Sequence, residues 1–357
     1  MTPRFTCGTA EVGAADAGRA GGKAAALGEL ARAGLPVPRG YVITAEAFGL
    51  HMDAADPAGA ARGALGSLAA DDLAGIAGAA GGLRARVVAE PLPPDVAAEI
   101  VAAYERLGAG PVAVRSSATL EDSAEASFAG LQDTYLAVRG ADAVLDRVRA
   151  CWASLYNDES VAYRRRRGIG EDGLAMGVVV QRMLSPRSAG VMFTRSPVTG
   201  DRSVVAIEGT WGLGSALVGG EVTPDSFTVS KVTGEITGRR VGVKQRVHSF
   251  TPNGQGISAA PMAFPLRRTP CLTDDEARAL AQLGRQVEDH YGTPQDIEWA
   301  LLGDSPAHPA LHADFADRIV LLQSRPETVW AARDRPPIAS PQAKASDHVL
   351  ARFRRAL

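Results

Sequence analysis

Two short runs near the C-terminal end carry chemistry at a spacing that a strand would use. They are Asp296-Ile297-Glu298-Trp299-Ala300 and Leu322-Gln323-Ser324-Arg325-Pro326. Alternate residues of a strand share a face, so Asp296 and Glu298 lie together, opposite Ile297 and Trp299. Gln323 and Arg325 share a face in the same way. Strands paired across 301–318 would aim two carboxylates, an amide oxygen and a guanidinium into one place. Hard oxygen donors suit Mg²⁺ and a guanidinium suits phosphate oxygens, so this is an inventory for a metal-bound polyphosphate. Solvated charges on an exposed strand are the plainer alternative, and the Gln-x-Arg ending weighs against it.

A second cluster lies in VAVRSSATLEDSAEASFAGLQDTYL, residues 112–136. Val112 and Val114 would face a core, with Ala113 and Arg115 on the other side. Ser116, Ser117 and Thr119 then add fixed donors suited to phosphate. The small residues of Ser127-Phe128-Ala129-Gly130 would let a ligand approach backbone N–H groups. A surface arginine beside a Ser-rich loop is the alternative. Upstream, Gly18-Arg19-Ala20-Gly21-Gly22-Lys23 runs into an Ala- and Leu-rich helix. That puts Lys23 at a helix N-terminus, an anion-binding arrangement. It is not a Walker A loop, because Ala17 and Ala24 stand where Gly and Ser/Thr are required. Gln181 ends the apolar run Gly177–Val180, and a neutral amide there can donate and accept at once, as an adenine edge requires.

The positioning elements read as follows. Gly34–Gly40 is a rigid turn, Tyr41–Thr44 a short strand, and Thr44 the cap of a helix opening at Ala45. Residues 50–110 are helical scaffold, best seen in Pro94–Leu107 with Val96, Ile100, Tyr104 and Leu107 on one face. One helix spans about 142–166, with Leu145, Val148, Trp152, Leu155 and Tyr156 inward, and Arg164–Arg167 meeting water at its end. Strands follow at 177–183, 190–194 and 204–208, then a Gly-rich loop at 209–215. Short strands occupy 225–245, with a hairpin signal at Thr233-Gly234-Glu235, and 250–267 reads as an exposed loop. Thr273 and Glu276 form a capping box for a helix carrying Leu280, Leu283 and Val287 inward.

Composition sets bounds. The length of 357 residues predicts two compact units or two lobes. A net charge of -2 gives no field for nucleic acid or membrane. Cys7, Cys151 and Cys271 are scattered, which fits reduced, buried thiols in a cytoplasmic protein. There is neither a signal-peptide pattern nor an apolar run long enough to span a bilayer.

GGKAAALGELARAGLPVPRGYVIT, VAVRSSATLEDSAEASFAGLQDTYL, GVVVQRML, GVMFTRSPVTG, GEVTPD, DIEWAL and LLQSRPET occur in this order. Together they resemble the ATP-binding domain that opens phosphoenolpyruvate synthase, pyruvate phosphate dikinase and rifampin phosphotransferase, over about residues 15–330. The resemblance implies an α+β, two-lobed, ATP-grasp-like fold. It places an N-terminal lobe with the phosphate ligands over 1–180, a lobe with Mg²⁺ and base contacts over 181–330, and a linker with a short tail helix over 331–357. It implies ATP and Mg²⁺ as cofactors. Lys23, Arg115, Gly130, Thr134, Gln181, Glu298, Gln323 and Arg325 match its ATP-site positions, with Lys23, Arg115 and Arg325 stabilising charge in transfer. Glu298 and Gln323 match its Mg²⁺ ligands, with Asp296 nearby. The family's loop often reads Gly-Leu-Gly-Glu; here Ser215 follows Gly214, and no function is carried to that position.

In that family ATP's β-phosphoryl passes to a histidine in a Gly-Gly-x-x-Ser-His-like motif on a swivelling domain, and the γ-phosphate leaves. None of His51, His248, His290, His308, His312 and His348 sits in such a motif. The family also runs on beyond the counterpart of Thr328. The expectation is therefore the ATP-binding subunit of a split dikinase-type phosphotransferase, similar to phenylphosphate synthase. A partner subunit would carry the histidine and the acceptor site, and the acceptor would be a phenol, another hydroxylated small molecule, or pyruvate. A self-contained small-molecule kinase and a non-catalytic nucleotide-binding regulatory module are the alternatives.

Overall fold

A computed structural model of the chain describes residues 4–69, 71–119, 133–171, 173–251, 253–303 and 318–330. Gly130 and the run before it, and the linker and tail helix of 331–357, lie outside the described residues.

The fold is α+β, built on two antiparallel sheets. The first holds β1 (Thr6–Gly8), β2 (Gly40–Ile43), β3 (Val112–Ala118), β4 (Thr134–Val138) and β5 (Met176–Arg182), in the order β1-β2-β5-β3-β4. The valines of β5 explain why its run is apolar without alternation. Val178 and Val180 enter one core, while Val179 enters another on the opposite face with Val42, Ala24 and Leu27. Both faces are covered. One lies under α3 (Ala45–Ala55), α4 (Ala60–Ser67), α5 (Leu73–Ala89), α6 (Pro94–Arg106), α7 (Ala141–Ser154) and α8 (Asp158–Arg166), which supply Leu65, Leu83, Ile100 and Trp152. The other lies under α2 (Gly22–Arg32), which follows the single turn α1 (Ala17–Ala20).

The second sheet holds β6 (Pro186–Phe193), β7 (Val204–Trp211), β8 (Asp225–Ser230), β9 (Ile236–Arg240), β12 (Gln295–Leu302) and β13 (Ile319–Pro326), in the order β13-β12-β6-β7-β8-β9. Its core joins Met192, Ile207, Phe227, Ile297 and Trp299 to Leu280 and Val287 of α10 (Asp274–Tyr291), and to Leu30 of α2. Thus α2 is a wedge that touches the first sheet through Ala24 and Leu27 and the second core through Leu30. The short helix α9 (Ser215–Val218) and the hairpin of β10 (Arg246–Phe250) and β11 (Ile257–Pro261) complete the second half. The chain passes from the first sheet to the second once, over Met183-Leu184-Ser185.

Several expectations are corrected. The helix read over 142–166 is two helices. The first stops at Ser154, whose hydroxyl donates to Cys151 O at 2.7 Å, and Asn157 takes an extended conformation before α8. Val144 is buried, while Leu145 is only partly so. Arg164 does not meet water: it is fully buried and donates to Glu171 Oε2 at 2.8 Å and Leu155 O at 2.7 Å. Thr44 occupies the cap position of α3, but its hydroxyl makes no capping bond and is buried without a partner. Gly209–Trp211 belong to β7, so the Gly-rich loop begins only at Gly212. Residues 250–267 include the strand β11 and a 3₁₀ turn, Phe264–Arg268. Of the cysteines, Cys151 and Cys271 are buried and Cys7 only half so. The Thr273–Glu276 capping box stands, each side chain accepting from the other's backbone N–H. No helix among the described residues is long and apolar enough to cross a membrane.

Arg164→Ala would leave Glu171 buried and unpaired. It should lower unfolding free energy by about 3–5 kcal/mol in urea denaturation, without displacing the polar residues of β3 and β12.

Candidate functional site

Arg115 sits on the face of β3 turned to α2 and the second sheet, with 8% exposure. Its Nη1 donates to Leu322 O at 2.9 Å, and its Nη2 donates to Glu298 Oε2 at 3.0 Å and to Gln323 Oε1. These acceptors belong to β12 and β13, so one guanidinium from the first sheet is held wholly by the second. Its Nε is buried without a partner. The two strands pair antiparallel with Asp296 opposite Arg325 and Glu298 opposite Gln323, and Ile297 and Trp299 enter the core.

Asp296 and Arg325 lie two residues further along, about 7 Å by strand rise. Asp296 Oδ2 is 3.6 Å from Arg325 Nε, and Oδ1 is buried without a partner. Burial pushes this carboxyl up to about 6; nearby Glu327 adds to the rise and Arg325 opposes it.

Lys23 is the second residue of α2, and that helix start is seated on the end of β3. Ala24 N donates to Ser117 Oγ at 3.0 Å. Gly21 has φ +83°, and a Cβ there would lie 1.9 Å from Ser117 O, so only glycine permits this approach. Two of the hydroxyls after Arg115 are committed as donors: Ser116 Oγ donates to Asp133 O at 3.0 Å and Thr119 Oγ1 donates to Ala175 O at 3.1 Å, which corrects their reading as phosphate donors. Ser117 Oγ accepts from Ala24 N and helps to lock the strand end to its neighbours.

A cavity of about 330 Å³ opens between the sheets. Arg115, Thr134, Gln181 and Glu298 line it; Lys23, Asp296, Gln323 and Arg325 do not, and Gln323 reaches it through Arg115. Gln181 has 3% exposure, and its Nε2 is buried without a partner. Its backbone is held between Gly40 and Ala113 in the ladder, leaving the amide uncommitted. Leu136, Met183, Leu184 and Leu213 supply apolar walls that sequence reasoning did not single out. A signal existed for two of them. Leu136 alternates with Thr134 on β4, and Met183 follows Gln181 into the crossing between sheets. The cleft thus combines these apolar walls with the Gln181 amide, Arg182 and the Arg115–Glu298 pair.

The fold is α+β with a cleft between two sheets, largely apolar but carrying Arg115, Gln181 and Glu298. The chain matches the family described as "Pyruvate phosphate dikinase, AMP/ATP-binding domain" over residues 17–346, and it belongs to that family. It is 44% identical over 307 residues to a rifampicin phosphotransferase from Streptomyces sp, covering 85% of this chain and 35% of that one. It is 39% identical over 357 residues to a probable phosphoenolpyruvate synthase from Staphylothermus marinus, covering 92% and 42%. With a phosphoenolpyruvate synthase from Aeropyrum pernix it shares 38% identity over 351 residues, covering 90% and 42%. The chain spans between about a third and under half the length of these curated relatives.

Asp296 supplies a pH test. Its raised folded value means that stability is greatest with the carboxyl protonated and falls as pH rises from the ordinary carboxylate range through about 6. Asp296→Asn should therefore raise the unfolding free energy from urea denaturation near pH 8, by about 1–3 kcal/mol without divalent cations. The gain should shrink toward zero near pH 4, and a pH-independent effect would contradict the burial argument.

Proposed function

We propose that the chain binds Mg-ATP in this cleft and serves as the ATP-binding subunit of a dikinase-type phosphotransferase. The observation that carries the reading is Arg115 converging with Glu298 and Gln323 beside the uncommitted amide of Gln181. The fold is read as ATP-grasp-like, its lobes dividing near residues 180 and 181. Gln181 addresses the adenine edge. Thr134, on the cavity wall, contacts a phosphate or the sugar. Gly130 keeps its place among the ATP contacts on resemblance alone.

Glu298 Oε2 and Gln323 Oε1 both lie on Arg115 Nη2, so two donor oxygens converge on one cationic group. Such a pair suits Mg²⁺, which takes one or two protein oxygens and fills its other positions with phosphate and water. No cluster of three or more His, Cys, Asp or Glu able to hold a metal occurs among the described residues, so a dedicated protein cage is not the reading. Bound there, Mg²⁺ would neutralise phosphate charge, with Asp296 close by. Lys23, Arg115 and Arg325 would hold the phosphate chain and stabilise charge developing in transfer, largely a matter of positioning and electrostatics.

The relatives' names support phosphoryl transfer, and their greater length accommodates further domains. No described histidine lines the cleft. The β-phosphoryl is accordingly assigned to a histidine on a partner subunit, giving AMP and phosphate, and then to a small hydroxylated acceptor such as a phenol, or to pyruvate.

³¹P NMR of Mg-ATP with the chain, alone and with its histidine-bearing partner, tests this. AMP and phosphate should appear only with both. Lys23→Ala or Arg325→Ala should reduce turnover at least about a hundredfold with circular dichroism unchanged. ADP from the chain alone would favour a self-contained kinase, and tight ATP binding without turnover with any partner would favour a regulatory module.

A further inference from the structure

One wall of the cleft is left unused by these assignments. Ser215, the first residue of α9, lines the cavity. Its Oγ lies 2.9 Å from His248 Nδ1, and His248 Nε2 lies 3.3 Å from Glu221 Oε2. His248, on β10, has 7% exposure. Its position is set by backbone, since Leu213 N donates to His248 O at 2.9 Å and Gly212 bridges to it. Three side chains from separate segments form one hydrogen-bonded line, from the cleft wall to a partly exposed carboxylate.

The chemistry of this line depends on one proton. A neutral imidazole has a single N–H, and Glu221 can only accept, so that N–H belongs at Nε2. Nδ1 is then an acceptor, and the Ser215 hydroxyl must donate to it. Ser215 offers the cleft only lone pairs, which a phosphate oxygen avoids. With the imidazole protonated, Nδ1–H donates to Ser215 Oγ and the hydroxyl hydrogen is released toward the cleft, where phosphate can accept it. Glu221 accepts from Nε2–H in either protonation state of the ring. Arg246, 3.4 Å from the same carboxylate, is the competing cation. Opposite the histidine, β7, α9 and β11 and their flanks place Gly212, Ser215 and Ala259, none of them charged.

We propose that Ser215, His248 and Glu221 form a proton-linked relay that converts the cleft wall from acceptor to donor when a polyphosphate enters. One proton passes from solvent to His248 Nδ1, the Ser215 O–H turns from ring to ligand, and no covalent bond changes. Ser215 touches the ligand; His248 and Glu221 are positioning residues. The proposal rests on the nucleotide reading above.

Titration calorimetry of Mg-ATP into the whole chain, in two buffers of different ionisation enthalpy, measures protons taken up per nucleotide. Wild type should take up more protons than His248→Gln, a difference that cancels any exchange by Mg-ATP itself. Ser215→Ala should lose the same increment, and each variant should bind roughly two- to tenfold more weakly, with unchanged circular dichroism. Equal uptake in wild type and His248→Gln, with Mg-ATP bound in both, overturns the relay alone. Absence of Mg-ATP binding by wild type overturns the nucleotide reading and the relay's ligand with it. A ¹⁵N spectrum of the histidine ring without ligand should show the proton on Nε2 and a bare Nδ1, and the opposite tautomer also overturns the relay.

Discussion

A buried guanidinium must find acceptors or the fold fails, and among the described residues the acceptors of Arg115 all lie on the other sheet. That requirement fixes much else. It demands that β12 and β13 pair so that Glu298 and Gln323 stand opposite each other, which they do. It demands that β3 be held rigidly, and Ser116, Ser117 and Thr119 do this through backbone partners. It also demands that the sheets keep their separation, which α2 sets as a wedge between the two cores. On the Mg-ATP reading proposed above, the oxygens that hold Arg115 are also those offered to the cation, so Arg115 would exchange carboxylate for phosphate oxygens.

Much of this was legible in the sequence where a period or a local rule applied. The alternation through Asp296–Trp299 and Gln323–Arg325 gave the strand faces, and the Thr273–Glu276 spacing gave the start of α10. Gly21 and Lys23 at the entry of α2 were readable as a Gly-rich helix start. What could not be read was which polar groups the backbone would claim. Nothing local distinguishes a serine donating to phosphate from Ser116 donating to Asp133 O, because the acceptor is 17 residues away. The same holds for Arg164, whose partner Glu171 enters only after the chain has turned past the end of α8. A run of arginines looks solvated until one of them is needed inside.

The Ser215–His248–Glu221 line was hidden for a related reason. Ser215 and His248 are 33 residues apart and meet only because β7 and the β10 hairpin come together at Gly212. The resembling family often carries glutamate where Ser215 stands. Here Glu221 is joined to that point through the imidazole of His248. A change from acid to hydroxyl on the cleft wall thus does not remove negative charge from the region but sets it back by one ring.

The single crossing at Met183–Ser185 has a mechanical consequence. If the two halves pivot, that link is the fulcrum, and the packing of α2 against both cores and the bond from Leu321 N to Pro36 O at 2.7 Å must yield. Met183 and Leu184 wall the cleft, immediately after Gln181, so that part has almost no lever arm. Arg115 and Glu298 lie farther from the link, where the same rotation displaces them more. On the nucleotide reading proposed above, such a pivot would loosen the contacts of Arg115 before those of Gln181, which would separate holding a ligand from releasing its terminal groups.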